Sequence, residues 1–283
     1  MTISSDRPSA RSATPLSALN LLLRSLLFSC GMLASTGIVA SLMVLCFFLP
    51  FRQRYRLSQC WSCFSLWWLR ATCRIDHRLS GVEHIPDQTV IVMAKHQSTW
   101  ETLFFHQYLP PLTWVVKREL LWLPFFGWAL ALLRPIAINR QSGASAVKQV
   151  IRQGIDHLRR GQWMLIFPEG TRVAPGVRKR YGMGGAALAA HSGYPILPVA
   201  HNAGECWPRG VFLKRPGTIQ VAFGPLIHSE GRSPQELGQQ VEEWIEGAMT
   251  RLGKDSAPWS PEPLTCRPRS TDHQDQGAGG DSP

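Results

Sequence analysis

The string Ala94-Lys95-His96-Gln97-Ser98-Thr99-Trp100-Glu101-Thr102 follows directly on an apolar run, Thr89–Met93 (TVIVM). A histidine and a carboxylate five positions apart lie about 140° around an ideal helix, so they could not meet on one helical face. With His96 just outside a helix N-terminus and Glu101 in its first turn, the carboxylate can reach back to one ring nitrogen. That would fix the tautomer and leave the other nitrogen as a general base. A bland reading fits the same residues: Ser98-x-x-Glu101 is a capping box, which starts a helix and leaves His96 an ordinary loop residue. The sequence keeps both open.

A second group ends another apolar run: Phe167-Pro168-Glu169-Gly170-Thr171-Arg172 after Trp163–Phe167 (WMLIF). In open α/β sheets, ligands bind beyond the carboxyl ends of strands. Gly170 would let a ligand approach the backbone, and the planar fork of Arg172 suits a phosphate or carboxylate. Glu169 could orient that guanidinium; alternatively the segment is an exposed turn with a surface ion pair. A third segment, Phe126-Gly127 with Arg134 and then Arg140, places two arginines around the short run Ile136–Ile138, a possible anion clamp. The residues around it, from Trp122 to Trp128, are too apolar for a soluble surface loop and read as core or as a wall meeting acyl chain or bilayer. A fourth, Pro195-Ile-Leu-Pro-Val-Ala200, reads as a wall strand without chemistry.

Elements must hold these groups in place. Strand-type runs occur at 89–93, 113–116, 136–138, 163–167, 196–200 and 219–223. Helix-type stretches lie at 99–108, 144–159 and 186–191, and 234–252 closes the series behind the N-cap Ser233 and Pro234. This alternation predicts an α/β fold with a mainly parallel mixed sheet flanked by helices. Upstream, 26 residues from Leu26 to Phe51 carry no charge, more than the roughly 20 a helix needs to cross a bilayer core. Leu57–Leu69, with three Trp, reads as a shorter interfacial helix. The expected organisation is a disordered 1–18, a membrane-anchoring helical segment 19–73 that precedes the α/β fold, a functional domain 74–254 and a disordered tail 255–283. Arginines on both flanks of the apolar run lean toward a cytoplasmic body.

The chain has 283 residues and a formal charge of +11; the tail from Asp255 contributes −3, which leaves +14 on the rest. Such a body wants an anionic partner. No basic-aromatic module supports nucleic acid, no Gly-x-Ser-x-Gly string supports a serine hydrolase, and Cys60-x-x-Cys63 lacks the second pair that a metal site would want. Gly182-x-Gly184-x-x-Ala187 follows a basic stretch instead of a strand and is read as helix-start packing. Seven cysteines, five of them in the first 73 residues, suit reduced thiols better than a secreted disulfide framework.

Taken in order, His96-QSTW-Glu101, Phe126-Gly127…Arg134, Phe167-PEGTR172 and Pro195-ILPVA200 resemble the four motif blocks of the glycerophospholipid acyltransferase family, most closely bacterial 1-acylglycerol-3-phosphate acyltransferases. The resemblance covers roughly 74–225. It implies acyl transfer from a thioester donor, acyl-CoA or acyl carrier protein, to the free hydroxyl of lysophosphatidic acid, giving phosphatidic acid with no metal or other cofactor. His96 would be the base and Glu101 its holder. Gly170, Thr171 and Arg172 would hold the acceptor phosphate, with Glu169 in the same block and Arg140 and Arg134 as further candidates. Lys117 and Arg178–Arg180 would meet phosphates of the donor, the acidic carrier protein or the membrane. The family's first block usually ends in Asp; here it ends in Glu101. The implied setting is the bacterial inner membrane with the catalytic domain facing the cytoplasm, and oligomeric state stays open. Rival readings keep the chemistry on another lysophospholipid, a lyso-aminolipid or glycerol-3-phosphate, or make the chain an inactive membrane scaffold.

Overall fold

The computed structural model describes residues 15–252; the expected disordered tail, and all but the end of the expected disordered N-terminus, lie outside them. Helix α1 (Pro15–Leu45) and helix α2 (Phe51–Cys73) form an antiparallel hairpin, with Leu27 opposite Trp68 and Phe47 opposite Arg54. Both begin earlier than the hydropathy suggested. The charge at Arg24 does not stop α1, and Pro50, which cannot continue a helix, ends the apolar run before Phe51 and caps α2. Buried Arg54 ties the turn by donating to the Phe47 carbonyl at 3.1 Å. Within α1, Ala18–Leu45 has a mean hydropathy of 1.8 and is largely unburied. Its 28 residues make it about 42 Å long at 1.5 Å per residue, a candidate membrane anchor.

Seven strands follow. They are β1 (Ile75–Ser80), β2 (Ile91–Ala94), β3 (Leu112–Lys117), β4 (Ile136–Ile138), β5 (Trp163–Ile166), β6 (Ile196–His201) and β7 (Gly217–Phe223). They make one sheet in the order β1-β7-β6-β2-β5-β3-β4, parallel at every pairing except β6 with β7. The mainly parallel α/β architecture agrees with expectation. Strand β1 (IDHRLS) had no apolar signature, because as an edge strand it pairs with β7 alone and carries three polar residues in a row.

The connecting helices are α3 (Trp100–Tyr108), α4 (Phe126–Leu132), α5 (Ala144–Arg159), α6 (Gly184–Ser192), a single turn α7 (Ala203–Cys206) and α8 (Pro234–Met249). Two apolar clusters fill the two sides of the sheet. One takes residues from α1, α2, α3 and α4; the other takes them from α5, α6 and α8. Helix α8 starts with a complete capping box, Ser233 with Glu236 and Pro234 in the first turn. The order places the carboxyl ends of β6, β2, β5 and β3 side by side, which brings residues far apart in sequence to one sheet edge.

Candidate active site

Immediately beyond β2, His96 turns its ring against Phe167, stacked at 3.9 Å between centroids and 11° between planes. Its Nδ1 lies 2.8 Å from Glu101 Oε1. The same oxygen accepts the backbone N–H groups of Gln97 at 2.9 Å and Ser98 at 2.7 Å, while Ser98 Oγ accepts from Trp100 N. The cap-type hydrogen bonds and the histidine–carboxylate contact therefore coexist in this segment. Glu101 supplies the carboxylate half of a capping box, and the same atom takes the histidine. Burial works to raise the Glu101 pKa, but the hydrogen bonds that Oε1 accepts from His96 and the Ser98 N–H hold the carboxyl below its ordinary range. An ionised carboxylate can only accept, so His96 donates from Nδ1, and in the neutral ring that leaves the lone pair on Nε2. Thirteen percent of the His96 side chain is exposed, against none of Glu101.

The turn after β5 docks on this loop. Val173 N donates to the His96 carbonyl at 2.8 Å, and Arg172 donates to Thr99 Oγ1 at 2.9 Å, at the start of α3. Gly170 closes the turn at φ +68°, a backbone conformation that side-chain-bearing residues avoid, and a Cβ there would meet nothing within 4 Å. His96, Glu101, Gly170, Thr171 and Arg172 thus share one edge. Lys117 ends β3 on the same edge, exposed, with Glu119 3.5 Å away. Arg140 follows β4 there too; its side chain lies outside the described residues.

Two expectations need correction. Glu169 does not orient Arg172. It is buried and lies 3.1 Å from Lys95 Nζ, which also meets Glu246 of α8 at 2.6 Å. The residue after Pro168 turns inward here, because buried Lys95 needs a carboxylate beneath the sheet edge more than the half-buried Arg172 does. Arg134 is no clamp for this site. It precedes β4, and its carbonyl accepts from Thr113 near the start of β3, at the level of Ile91 in β2. His96 is five residues further along, about 16 Å at 3.3 Å per residue. The Arg134 guanidinium sits over the Phe51 ring instead, 5.7 Å from its centroid.

Sequence reasoning missed several residues that build the site. Buried His201, one step past the wall strand, meets the Lys95 carbonyl through Nε2 at 2.7 Å and accepts Ala203 N–H on Nδ1 at 3.3 Å. Both ring nitrogens are used by the neutral Nε2–H form, and burial keeps its pKa low. Gly204 N donates to Gln97 Oε1, and a Cβ at Gly204 would stand 3.0 Å from the Gln97 Cβ. The Pro195–Ala200 block therefore delivers a clamp on the His96 loop. Lys95 joins Glu169 and Glu246, with the Tyr181 hydroxyl donating to Glu246 and Arg178 at 3.5 Å from its other oxygen. Burial pushes the Glu169 carboxyl up, against the pull of Lys95. Arg209, exposed, donates to Thr171 Oγ1 at 3.1 Å and to the Arg172 carbonyl at 3.0 Å, holding the turn from outside. A lysine closing an apolar strand was the one legible signal among these.

The Acyltransferase family model matches residues 76–202. The chain is 49% identical over 208 residues to the 1-acyl-sn-glycerol-3-phosphate acyltransferase of Pseudomonas aeruginosa, covering 72% of this chain and 81% of that protein. The chain belongs to the glycerophospholipid acyltransferase family. It is an enzyme of that acyl-transfer class. The protein of the same name from Borreliella burgdorferi is 29% identical over 56% of this chain and 67% of its own. In fold, the chain is similar to the crystal structure of the 1-acyl-sn-glycerophosphate (LPA) acyltransferase PlsC from Thermotoga maritima. That match has a TM-score of 0.70 and 23% identity, covering 86% of this chain and 99% of that one.

Proposed function

We propose that this acyltransferase moves an acyl chain from acyl-CoA or acyl carrier protein to the free hydroxyl of 1-acyl-sn-glycerol-3-phosphate, giving phosphatidic acid. The observation that carries the reading is the His96–Glu101 pair at 2.8 Å beside the Arg172 turn; the acceptor is the one named for the Pseudomonas relative.

His96 Nε2 takes the acceptor hydroxyl proton as the oxygen attacks the thioester carbonyl. The tetrahedral intermediate collapses with release of the thiolate, which takes the proton back from the imidazolium, so no acyl group is left on the enzyme. The Glu101 carboxylate stabilises the imidazolium between the two transfers, and stacking on Phe167 keeps the ring aimed. Arg172, with Gly170 and Thr171, holds the acceptor phosphate as a charge-assisted anchor. Lys117 and Arg140 stand on the same edge for further phosphate contacts, and Arg178–Arg180 face the donor's phosphates or the membrane surface. Helix α1 anchors the enzyme to the bacterial inner membrane with the site on the cytoplasmic side, where acyl thioesters are available.

The test is acyl transfer by the purified chain to a panel of lysophosphatidic acid, glycerol-3-phosphate, a neutral-headgroup lysolipid and a lyso-aminolipid. Each acceptor is run with both donors, and His96→Ala serves as the blank. Product from lysophosphatidic acid, lost in His96→Ala, is expected. Product from another acceptor alone overturns the substrate and keeps the chemistry; an active His96→Ala overturns the base.

A further inference from the structure

From the end of β3 into the first turn of α4 the surface carries large exposed apolar side chains. Trp122 is 66% exposed, Phe125 53%, Trp128 50% and Leu123 48%. The segment is built to hold them outward. Gly127 N donates to the Leu123 carbonyl at 2.7 Å, and a Cβ on Gly127 would stand 2.5 Å from the Leu121 carbonyl oxygen. Phe125 is held at φ +59°, a region that residues with side chains seldom occupy.

Its place in the fold gives the occupant. Helix α4 packs directly against α1, the helix that exposes Leu26 and, seven residues on and so on the same face, Leu33. At the start of the segment Lys117 and Arg118 are exposed, and the Arg118 guanidinium sits over the Trp122 ring at 5.8 Å. Tryptophan and phenylalanine beside cationic side chains match the interface of an anionic phospholipid bilayer, with apolar rings below the headgroups and ammonium or guanidinium groups among the phosphates. The segment leaves β3 at its carboxyl end, the sheet edge that also carries His96 and Arg172.

We propose that Leu120–Trp128 is a second membrane-contact element, seating Trp122, Phe125 and Trp128 in an anionic bilayer interface beside the catalytic edge. The inference rests on the lipid-acceptor reading and on α1 as anchor. It adds that the active site is pinned to the lipid surface at two places, so a single-chain lysolipid enters from the bilayer side.

The test uses the full chain in phosphatidylglycerol–phosphatidylethanolamine vesicles, with benzoylphenylalanine placed singly at Trp122, at Leu33 of α1 and at exposed Gln239 of α8. Irradiation followed by mass measurement of the protein should give lipid adducts at 33 and 122 and none at 239. An adduct at 33 without one at 122 overturns the proposal and leaves the anchor intact. Silence at 33 with an adduct at 122 overturns the anchor and, with it, the two-point seating that the proposal states; silence at both overturns the two together. Equal yield at all three overturns the proposal as unselective. As a functional arm, Trp122→Ser with Phe125→Ser should lower transfer to vesicle-embedded long-chain lysophosphatidic acid at least tenfold. Transfer to a water-soluble short-chain analogue should stay within twofold, which also shows the variant folded. Equal loss on both acceptors overturns the proposal.

Discussion

Replacing Glu101 by Gln isolates the charge of the carboxylate from its geometry. The Gln carbonyl can still accept from His96 Nδ1 and from the Gln97 and Ser98 N–H groups, so the loop is kept. What goes is the negative charge facing an imidazolium in the transition state. Unit charges about 4 Å apart at an effective dielectric near 20 interact by about 4 kcal/mol. At about 1.4 kcal/mol per factor of ten, kcat should fall about 10³-fold. Neither KM should move by more than about threefold, because neither substrate's binding contacts change. Glu101 Oε2 is buried without a hydrogen-bond partner among the described residues. The new amide nitrogen at that position therefore costs about 1–3 kcal/mol of stability. The assay is initial-rate acyl transfer at saturating donor and acceptor, with folding followed by circular dichroism. In His96→Ala the Gln change should add almost nothing, since the two residues act as one unit. A folded Glu101→Gln enzyme within tenfold of the parent kcat would refute the reasoning.

Arg172→Ala should raise the acceptor KM about 10- to 100-fold, the worth of about 1.5–3 kcal/mol for a charged hydrogen bond, and leave the donor KM alone; initial rates against each substrate check it. Lys95→Met leaves Glu169 and Glu246 buried without their ammonium, which should cost about 3–5 kcal/mol in urea unfolding. Adding Glu169→Gln should recover part of that loss. His106 is buried, and burial lowers its pKa from 6.5 to about 3. It meets Tyr55 Oη at 3.1 Å and Ser58 Oγ at 2.9 Å. Because the unfolded state binds the proton more readily, its contribution is full above pH 6.5 and shrinks as pH falls toward 3. Urea midpoints should show about 2 kcal/mol lost between pH 6.5 and 5, and His106→Asn should flatten that slope.

The His96–Glu101 contact was readable because it is local. Both partners sit within one strand-to-helix turn, so type and spacing suffice. The four blocks also gave the sheet, since apolar runs buried on both faces leave an unbroken signal, as in β2 and β6. Arg134 was misplaced by reasoning from proximity to a strand without asking which end. A residue before a parallel strand lies at its amino end, opposite the site. Lys95 and Glu246 are 151 positions apart, and nothing in either neighbourhood names the other; only the fold supplies the pairing. Arg209 sits in a Pro- and Gly-containing connection where one arginine looks like any other. The helix boundaries of the hairpin were misjudged because hydropathy marks where lipid is tolerated, whereas helix ends are set by Pro50 and by backbone hydrogen bonds.

The central position of β2 has a consequence for how the enzyme is made. Its two neighbours, β5 and β6, lie about 70 and 105 residues downstream, so the His96 loop leaves the ribosome long before Phe167 or His201 exists to hold it. At about 5–20 residues per second, the chain waits about 5–20 s for the last of these supports. During that interval the hairpin of α1 and α2 is already complete. The nascent chain is thus equipped to find its membrane first and to complete its site afterwards, so an unfinished or truncated product ending before His201 carries His96 without the clamp that holds its loop.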